Sequence, residues 1–323
     1  PSQPSLLWIH MVTHMDPHTP AGLERSCGDW IRIAPALSGL ERGEAYFAGH
    51  AYDPHRHDTY AIGYTLGGVQ SFRYRGSSES SRAGQVFVLH PDETHDGHAG
   101  TEDSFHYRIL YVEPGVIRDA LGEGRALPFV RDTVSNNRRI VAAIAPALGG
   151  LDQSLEELQR DQVIVALADA LAAADPSQRP RRLSARDWRA VGRAREMLDA
   201  NLANGVASDA LEMATGQSRY ALARHFRACL GTSPYRYLVM RRLDRARALI
   251  REGVALANAA AASGFADQSH MTRHFQRAYG LSPGRWVALT AKFASGTRGL
   301  TRIVKSHNAG RKTIYSQQFS EDY

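Results

Sequence analysis

The side chains best suited to recognition chemistry in this sequence lie between Gly264 and Pro283. Met271, Phe275 and Ala278 recur at spacings of four and three, so they share one face of a helix. Polar residues lie largely off that face, namely Gln268, Ser269, Thr272, Arg273 and Gln276. In the DNA major groove, arginine hydrogen-bonds guanine and glutamine hydrogen-bonds adenine. A short helix with this polar face, and an apolar face opposite it, has the chemistry of a helix that contacts DNA bases.

Two neighbouring features favour this interpretation over an ordinary amphipathic surface helix. The alanine-rich stretch 254–263 predicts a small helix that packs closely across the first one, which makes a helix-turn-helix. The unit also occurs twice. Arg224-His225-Phe226 matches Arg273-His274-Phe275, and Gly231-Thr232-Ser233-Pro234 matches Gly280-Leu281-Ser282-Pro283 at the same offset. A repeat of this kind indicates a duplicated supersecondary unit.

From residue 187 onwards, the sequence predicts a series of helices around these residues. The patterns predict a first helix over 187–201 and a first helix-turn-helix over 208–214 and 218–230. Pro234 then opens a long connecting helix to Arg251, and a final short helix is predicted over 285–293. The connecting helix therefore separates the two copies of the repeat.

Charge is divided unevenly along the chain. Residues 181–295 carry 19 Lys and Arg against 8 Asp and Glu, whereas residues 1–180 carry 15 against 23. A basic half of this kind has electrostatic affinity for phosphate, and a merely solvated basic face is the alternative.

The length of 323 residues predicts two domains. We find no run of 18 apolar residues and no basic segment followed by an apolar core, so we expect neither a membrane span nor a secretion signal. The two cysteines, Cys27 and Cys229, have no metal-like spacing, which fits a reducing cytoplasm.

The acidic half changes from strands to helices along its length. Short alternating runs at 44–48, 61–66, 70–74, 85–89 and 105–112 predict strands separated by turns such as Gly67-Gly68, which favours a β-barrel or sandwich. Helices are predicted over 138–148 and 152–174. The second helix has an apolar stripe (Leu155, Leu158, Ile164, Val165, Leu167, Leu171) that either covers the barrel or forms a dimer seam.

The basic half resembles the AraC/XylS family of bacterial transcription regulators. The resemblance rests on ASGFADQSHMTRHFQRAYGLSP, on its earlier copy and on the connecting stretch YRYLVMRRLDRARALI, and it covers residues 187–292. It implies two recognition helices that enter successive major-groove segments of double-stranded promoter DNA. Carried over by position, the base-reading residues are Arg219, Tyr220, Ala223 and Arg224 in the first helix and Gln268, Ser269, Thr272 and Arg273 in the second.

The acidic half resembles the cupin-like sensor domain that precedes this unit in many members of the family. The matching residues are His55-Arg56-His57, Gly67-Gly68, and the stretch 83–95 that ends on His95. Enzymatic cupins bind a metal through two histidines spaced by one residue, a glutamate and a later histidine. His55, His57 and His95 match the three histidines, which can hold zinc or iron, but positions 61 and 62 are Ala and Ile, so the glutamate is absent.

The interior of the predicted barrel is the expected effector pocket, and the histidines are expected to line it rather than to hold a metal. The candidate lining residues are His55, His57, Tyr64, Phe72, Tyr74, His95 and Tyr111. Histidine and tyrosine offer hydrogen bonds to polar or anionic ligands.

The predicted fold is multi-domain α and β. Its segments are an irregular N-terminal segment 1–28, a cupin-like effector-binding barrel 29–133, a helical dimerisation or support segment 134–174, a linker 175–186, an all-α domain with two helix-turn-helix motifs 187–295, and a tail 296–323 that is disordered or was added in cloning.

Together with the resemblance, these features predict a cytoplasmic, DNA-binding transcription regulator. The resemblance implies an activator and RNA polymerase as a partner. We further expect a small-molecule effector and a homodimer, and no membrane, cofactor or enzymatic activity. The alternatives are a metal-dependent cupin enzyme fused to a DNA-binding module, and a DNA-binding protein that needs no effector.

Overall fold

The computed structural model describes residues 28–35, 37–100, 104–122, 125–177 and 184–291. The predicted tail 296–323 and all but Gly28 of the predicted segment 1–28 lie outside these residues. Over the described residues, a β-rich unit with helices is followed by an all-helical part, which confirms the predicted fold class. None of the described helices is long and apolar enough to cross a lipid bilayer.

Antiparallel strands build the first part of the chain. They are β1 (Trp30–Ile33), β2 (Leu40–Ala48), β3 (His50–His55), β4 (Tyr60–Tyr74), β5 (Ser77–Arg82), β6 (Val86–Leu89), β7 (His95–Ala99), β8 (Ser104–Val112) and β9 (Val134–Ser135). The main path is β1-β2-β8-β4-β6-β9, and β3 joins through β7. The first half of β4 pairs with β6 and β8, and its second half pairs with β5 and β7. Strand β4 therefore connects the two sides of the barrel.

The glycine pair Gly67-Gly68 lies inside β4, so the turn predicted there is wrong. The register of β4 against β8 shifts between Thr65 and Gly67, which marks a β-bulge. Gly68 has a φ of +67°, and a Cβ at this residue would overlap the carbonyl of Ser104. The glycines let one long strand bend and change partners instead of ending it.

This part of the chain also has three helices, α1 (Pro114–Leu121) before β9, and α2 (Arg138–Leu148) and α3 (Glu157–Ala173) after it. They share a buried core with the outer face of the barrel, in which Leu167 and Leu171 of α3 lie with Ile62 and Leu110 of the sheet. The predicted stripe on this helix thus covers the barrel, while two of its members, Leu158 and Val165, remain 81% and 50% exposed.

The second part of the chain consists of helices α4 (Ala185–Ala200), α5 (Ser208–Thr215), α6 (Arg219–Leu230), α7 (Pro234–Arg251), α8 (Leu256–Ala262) and α9 (Gln268–Tyr279), with a further helical stretch, α10, at 283–291. One core joins α4, α5, α6 and the start of α7, and another joins the rest of α7 with α8 and α9. Helix α7 is therefore the rod between two helix-turn-helix units.

Candidate functional site

A cavity of about 330 Å³ lies between the inside of the barrel and the helical part of the chain. On the barrel side its apolar lining includes Ala45, Ala61, Phe72, Phe87, Leu89 and Ile109. The facing wall includes Met240 and Arg247 of α7, Tyr279 of α9, and Leu281 and Trp286 beyond it. The cavity is thus enclosed by both parts of the chain, whereas the sequence predicts a pocket within the barrel alone.

Three histidine rings lie together on the barrel side of this cavity. The ring centroids of His55 and His95 are 4.2 Å apart, those of His57 and His95 4.9 Å, and those of His55 and His57 6.2 Å. The antiparallel register of β3 and β7 pairs His55 directly with His95. The three histidines that the resemblance to cupins singles out therefore form one cluster.

Each ring of this cluster donates its Nδ1–H to a backbone carbonyl, since a carbonyl oxygen only accepts hydrogen bonds. For His55, His57 and His95 in turn, the accepting oxygens belong to Asp53 (2.8 Å), Thr59 (2.9 Å) and Glu93 (3.1 Å). The neutral rings then carry no proton on Nε2. The Nε2 atom of His57 is buried and has no hydrogen-bond partner among the described residues.

Burial lowers the pKa of all three imidazoles, because the charged form loses hydration. The pKa of His55 and of His57 lies well below its ordinary value, and that of His95 is about 4. The rings are therefore neutral at pH 7 and present Nε2 lone pairs. Within the described ranges, no group of three or more His, Cys, Asp or Glu side chains is arranged to hold a metal ion.

The structure places five of the seven predicted pocket residues in the cavity lining: His55, His57, Phe72, His95 and Tyr111. Tyr64 lies instead on the other face of β4, beside the helix-covered core, because side chains alternate along a strand. Tyr74 is also outside the lining, and its hydroxyl hydrogen-bonds the buried His90 at 3.0 Å.

Sequence reasoning missed several polar residues of the cavity. Tyr52 and Tyr107 share a hydrogen bond of 2.9 Å between their hydroxyls, and Gln70 has a buried side-chain oxygen without a partner among the described residues. Alternation within the predicted strands 70–74 and 105–112 places Gln70 on the face of Phe72 and Tyr107 on that of Tyr111. Tyr52 lies in β3, for which the sequence predicts no strand.

Ion pairs join acidic residues of the barrel to arginines of the helical part. Arg241 contacts Asp58 at 3.1 Å and Glu113 at 2.8 Å, and Arg247 contacts Glu41 at 2.8 Å. Further pairs connect Asp92 to Arg227 and Arg236, and Asp29 to Arg285. Several arginines of the basic half, whose charge the sequence analysis attributes to phosphate binding, therefore form ion pairs with the barrel.

The glycines that end α6 and α9 both lie against the barrel. Gly231 and Gly280 occupy equivalent positions of the repeat and have φ values of +71° and +66°. A Cβ on Gly231 would meet Pro91 and Pro114 at the barrel surface. The barrel thus contacts both helix-turn-helix units at the corresponding point, the C-terminal end of the second helix.

The side chains predicted to read bases lie on the outer faces of α6 and α9. Arg219, Tyr220, Arg224, Gln268, Ser269 and Arg273 are exposed, and Ala223 and Thr272 are half-buried. Each helix begins at a capping side chain, Ser218 for α6 and Asp267 for α9, which accepts a backbone N–H of the first turn. Both faces are open to a partner in this arrangement.

The arginines on these faces differ in their surroundings. The guanidinium of Arg219 donates to both carboxylate oxygens of Glu212, at 3.2 and 2.9 Å. Arg224 and Arg273 form no ion pair within the part of the chain that the structure describes. Arg219 must therefore break its two side-chain hydrogen bonds to Glu212 before it can contact a base.

Two family profiles match this chain. Residues 37–184 match the AraC-like ligand binding domain, and residues 212–288 match a helix-turn-helix domain. The chain belongs to the AraC family of transcription regulators. The barrel with its cavity is thus the ligand-binding domain of an AraC-family protein, and the helical part is its DNA-binding domain.

Relatives of this AraC-family protein are also regulators. It is 26% identical over 232 residues to the uncharacterized HTH-type transcriptional regulator YbfI of Bacillus subtilis. The aligned region covers 67% of this chain and 80% of YbfI. It is 24% identical over 250 residues to the HTH-type transcriptional activator RhaS of Escherichia fergusonii. The aligned region covers 72% of this chain and 86% of RhaS.

The fold is shared with ToxT of Vibrio cholerae. One ToxT structure covers 78% of this chain and 99% of its own, with a TM-score of 0.55 and 11% identity. A structure of ToxT bound to an unsaturated fatty acid gives a TM-score of 0.57 at 11% identity, over 79% of this chain and 97% of that one. At this identity the likeness concerns the architecture alone.

Proposed function

We propose that this AraC-family regulator senses a small effector in the cavity and reads promoter DNA with both α6 and α9. The observation that carries the proposal is the composition of the cavity wall, to which Arg247, Tyr279 and Trp286 of the DNA-binding domain contribute. A molecule in this cavity touches both domains at once. Its occupancy is therefore able to favour one arrangement of the domains over another.

The coupling runs through α7. This helix contributes to the cores of both helix-turn-helix units and carries Arg241 and Arg247, whose partners are on the barrel. An effector that binds one domain arrangement more tightly by about 1.4 kcal/mol shifts the ratio of the two arrangements tenfold. The response needs only a difference in contacts at this interface.

DNA binding is assigned to the exposed faces of α6 and α9. Arg224 and Arg273 hold equivalent positions of the repeat and are open to base edges or phosphates, while Gln268 and Thr272 add amide and hydroxyl groups to the second face. The role of an activator that contacts RNA polymerase is supported by the likeness to RhaS, which is described as a transcriptional activator.

A homodimer is supported by the outer side of α3. Leu158 and Val165 are seven residues apart, so they project from the same side of the helix, and both are exposed. Replacement of Leu158 by Asp is expected to convert a dimer of the full chain to a monomer in light scattering. A wild-type chain that is monomeric at micromolar concentration contradicts this assignment.

The test of the whole proposal starts from DNA fragments that the purified full chain enriches from a random pool. Fluorescence anisotropy then compares an enriched fragment with a scrambled one, and a preference of about 10³-fold or more is expected at physiological salt. Compounds that raise the melting temperature of the chain are expected to change this affinity. Equal binding to both fragments, or stabilising compounds without any effect on DNA affinity, contradicts the proposal.

A further inference from the structure

We propose that the effector is an uncharged or cationic molecule that donates several hydrogen bonds to the barrel side of the cavity. This inference rests on the effector role of the cavity proposed above and names the chemical class that the cavity selects. It separates this chain from ToxT, for which an unsaturated fatty acid is a bound ligand.

The barrel side of the cavity is rich in acceptors that lack donors. The three imidazoles present Nε2 lone pairs, because their Nδ1–H groups are held by backbone carbonyls. Gln70 Oε1 and Asp58 Oδ1 are also buried, and both lack a hydrogen-bond partner within the described residues. A buried acceptor without a donor is costly, so a ligand that supplies O–H or N–H groups gains affinity here.

The charges around the cavity also favour an uncharged or cationic ligand. Six carboxyl groups and four guanidinium groups line it among the described residues, so the lining favours a cation over an anion. On the opposite wall, Arg241 and Arg247 are paired through their terminal nitrogens with Asp58, Glu113 and Glu41. The Nε atoms of both arginines have no hydrogen-bond partner among the described residues, so this wall offers donors to an acceptor of the ligand while the barrel side offers acceptors. Arg251 is exposed and lies at the outer end of α7.

A carboxylate placed against the three imidazoles meets their Nε2 lone pairs, and none of the three rings offers it a proton there. At least one ring must then take up a proton in a buried position, which burial opposes. A hydroxyl or an ammonium group satisfies the same rings in the neutral state that they already have.

The rest of the cavity fixes the shape of the effector. Phe72, Phe87 and Ile109 line the barrel side, and Tyr279 and Trp286 face them from the DNA-binding domain. These surfaces fit a compact apolar frame. The effector class is therefore a small amino or polyhydroxy compound whose polar groups are directed at the histidine cluster.

The experiment uses the full chain labelled with ¹⁵N-histidine and long-range ¹H–¹⁵N spectra at pH 7. Three probes share one ring frame: cis-1,3-cyclohexanediol, cyclohexylamine and cyclohexanecarboxylate. A fourth titration adds Zn²⁺ alone. His50 and His98, which lie outside the cavity lining, serve as internal reference signals in every spectrum. The variants His55→Gln, His57→Gln and His95→Gln assign the cluster signals.

The expected result is Nε2 without an attached proton in all three cluster rings. Their Nε2 signals move saturably with the diol and the amine, and the carboxylate leaves them in place. The inference is overturned by protonated rings at pH 7, by a saturable response to the carboxylate, by no saturable response to the diol or the amine, or by one equivalent of Zn²⁺ captured on the rings.

Failure of this inference is distinguishable from failure of the proposed function. DNA affinity of the same sample is measured by anisotropy with the enriched fragment. An anionic compound that changes this affinity contradicts the effector class and supports effector sensing. Loss of sequence-specific DNA binding contradicts the proposed function whatever the histidine signals show.

Discussion

The backbone N–H of Asp53 in β3 donates a hydrogen bond of 3.1 Å to the carbonyl oxygen of Gly280, the residue that ends α9. The last carbonyls of a helix have no partner within it, so the barrel here supplies one. The carbonyl of the same Asp53 accepts the Nδ1–H of His55 at 2.8 Å. One residue of the barrel thus joins the histidine cluster to the end of α9.

Replacement of Gly280 by Ala is expected to loosen this contact. Its Cβ would meet the carbonyl of Asp53 and the ring of His55. Hydrogen exchange measured by mass spectrometry should show faster exchange in a peptide that contains Asp53 and Arg56.

The matched control is Gly216→Ala at the end of α5. Gly216 has the same φ of +66°, so the backbone strain of the substitution is alike, but its surroundings are open. Equal exchange in the 53–56 region of both variants would show that the barrel contact does not depend on this glycine.

The contact of Arg247 with the barrel is expected to stabilise the docked domains. Its guanidinium pairs with Glu41 and lies over the rings of Tyr279 and Trp286, 4.9 and 5.4 Å from their centroids. Arg247→Met leaves a carboxylate without its partner, and we expect a loss of about 2 kcal/mol or more in the free energy of unfolding. Arg251→Met, an exposed position on the same helix, is the control in urea titrations. A similar small loss in both variants contradicts the assignment.

Release of Arg219 from Glu212 is expected to strengthen DNA binding. Glu212→Gln removes both a negative charge and a bidentate partner of Arg219, so affinity for DNA at low salt should rise by about threefold to tenfold. Asp209→Asn on the same helix makes the same charge change without a hydrogen bond to Arg219. An equal rise in the two variants, measured by anisotropy, would assign the effect to charge alone.

His90 is expected to make the folded chain sensitive to acid. Burial and the nearby Arg75 lower its pKa to about 4, and its Nε2 accepts the backbone N–H of Val130 at 2.9 Å. Because the unfolded ring binds its proton below about pH 6.5, stability is present above that pH. It is lost as the pH falls towards 4, by about 3 kcal/mol over the whole window.

The measurement that checks this is the free energy of unfolding, obtained from urea titrations at pH 7 and at pH 5. His90→Gln should lose less stability between these two pH values than the wild type, even if it is less stable at both. An unchanged difference in His90→Gln contradicts the role of this ring.

The helical domain was predictable because the residues that start and end its helices are recognisable in the local sequence. Ser218 and Asp267 cap the starts of α6 and α9, and a glycine ends each helix. Pro234 opens the predicted 234–251 helix, which agrees with α7 at both ends. The histidine cluster was predictable through the resemblance to cupins, in which two histidines spaced by one residue lie beside a later one.

The domain interface was not predictable from the sequence. Arg241 and Arg247 have the same local pattern as arginines that bind phosphate, and only the tertiary fold brings Asp58 and Glu41 to them. Tyr64 was assigned to the wrong face because strand alternation fixes two faces but does not say which is the cavity. Gly67-Gly68 reads as a turn locally, although long-range pairing with β8 carries the strand through it.

Joint reading of DNA by α6 and α9 is tested by sequence selection with the full chain. We expect an enriched site with two elements about 10 base pairs apart, one helical turn of DNA. Arg224→Ala should erase sequence preference in one element and Arg273→Ala in the other, with non-specific affinity reduced far less. A single short element, or two variants that weaken binding to all DNA sequences equally, would show that α6 and α9 do not read bases together.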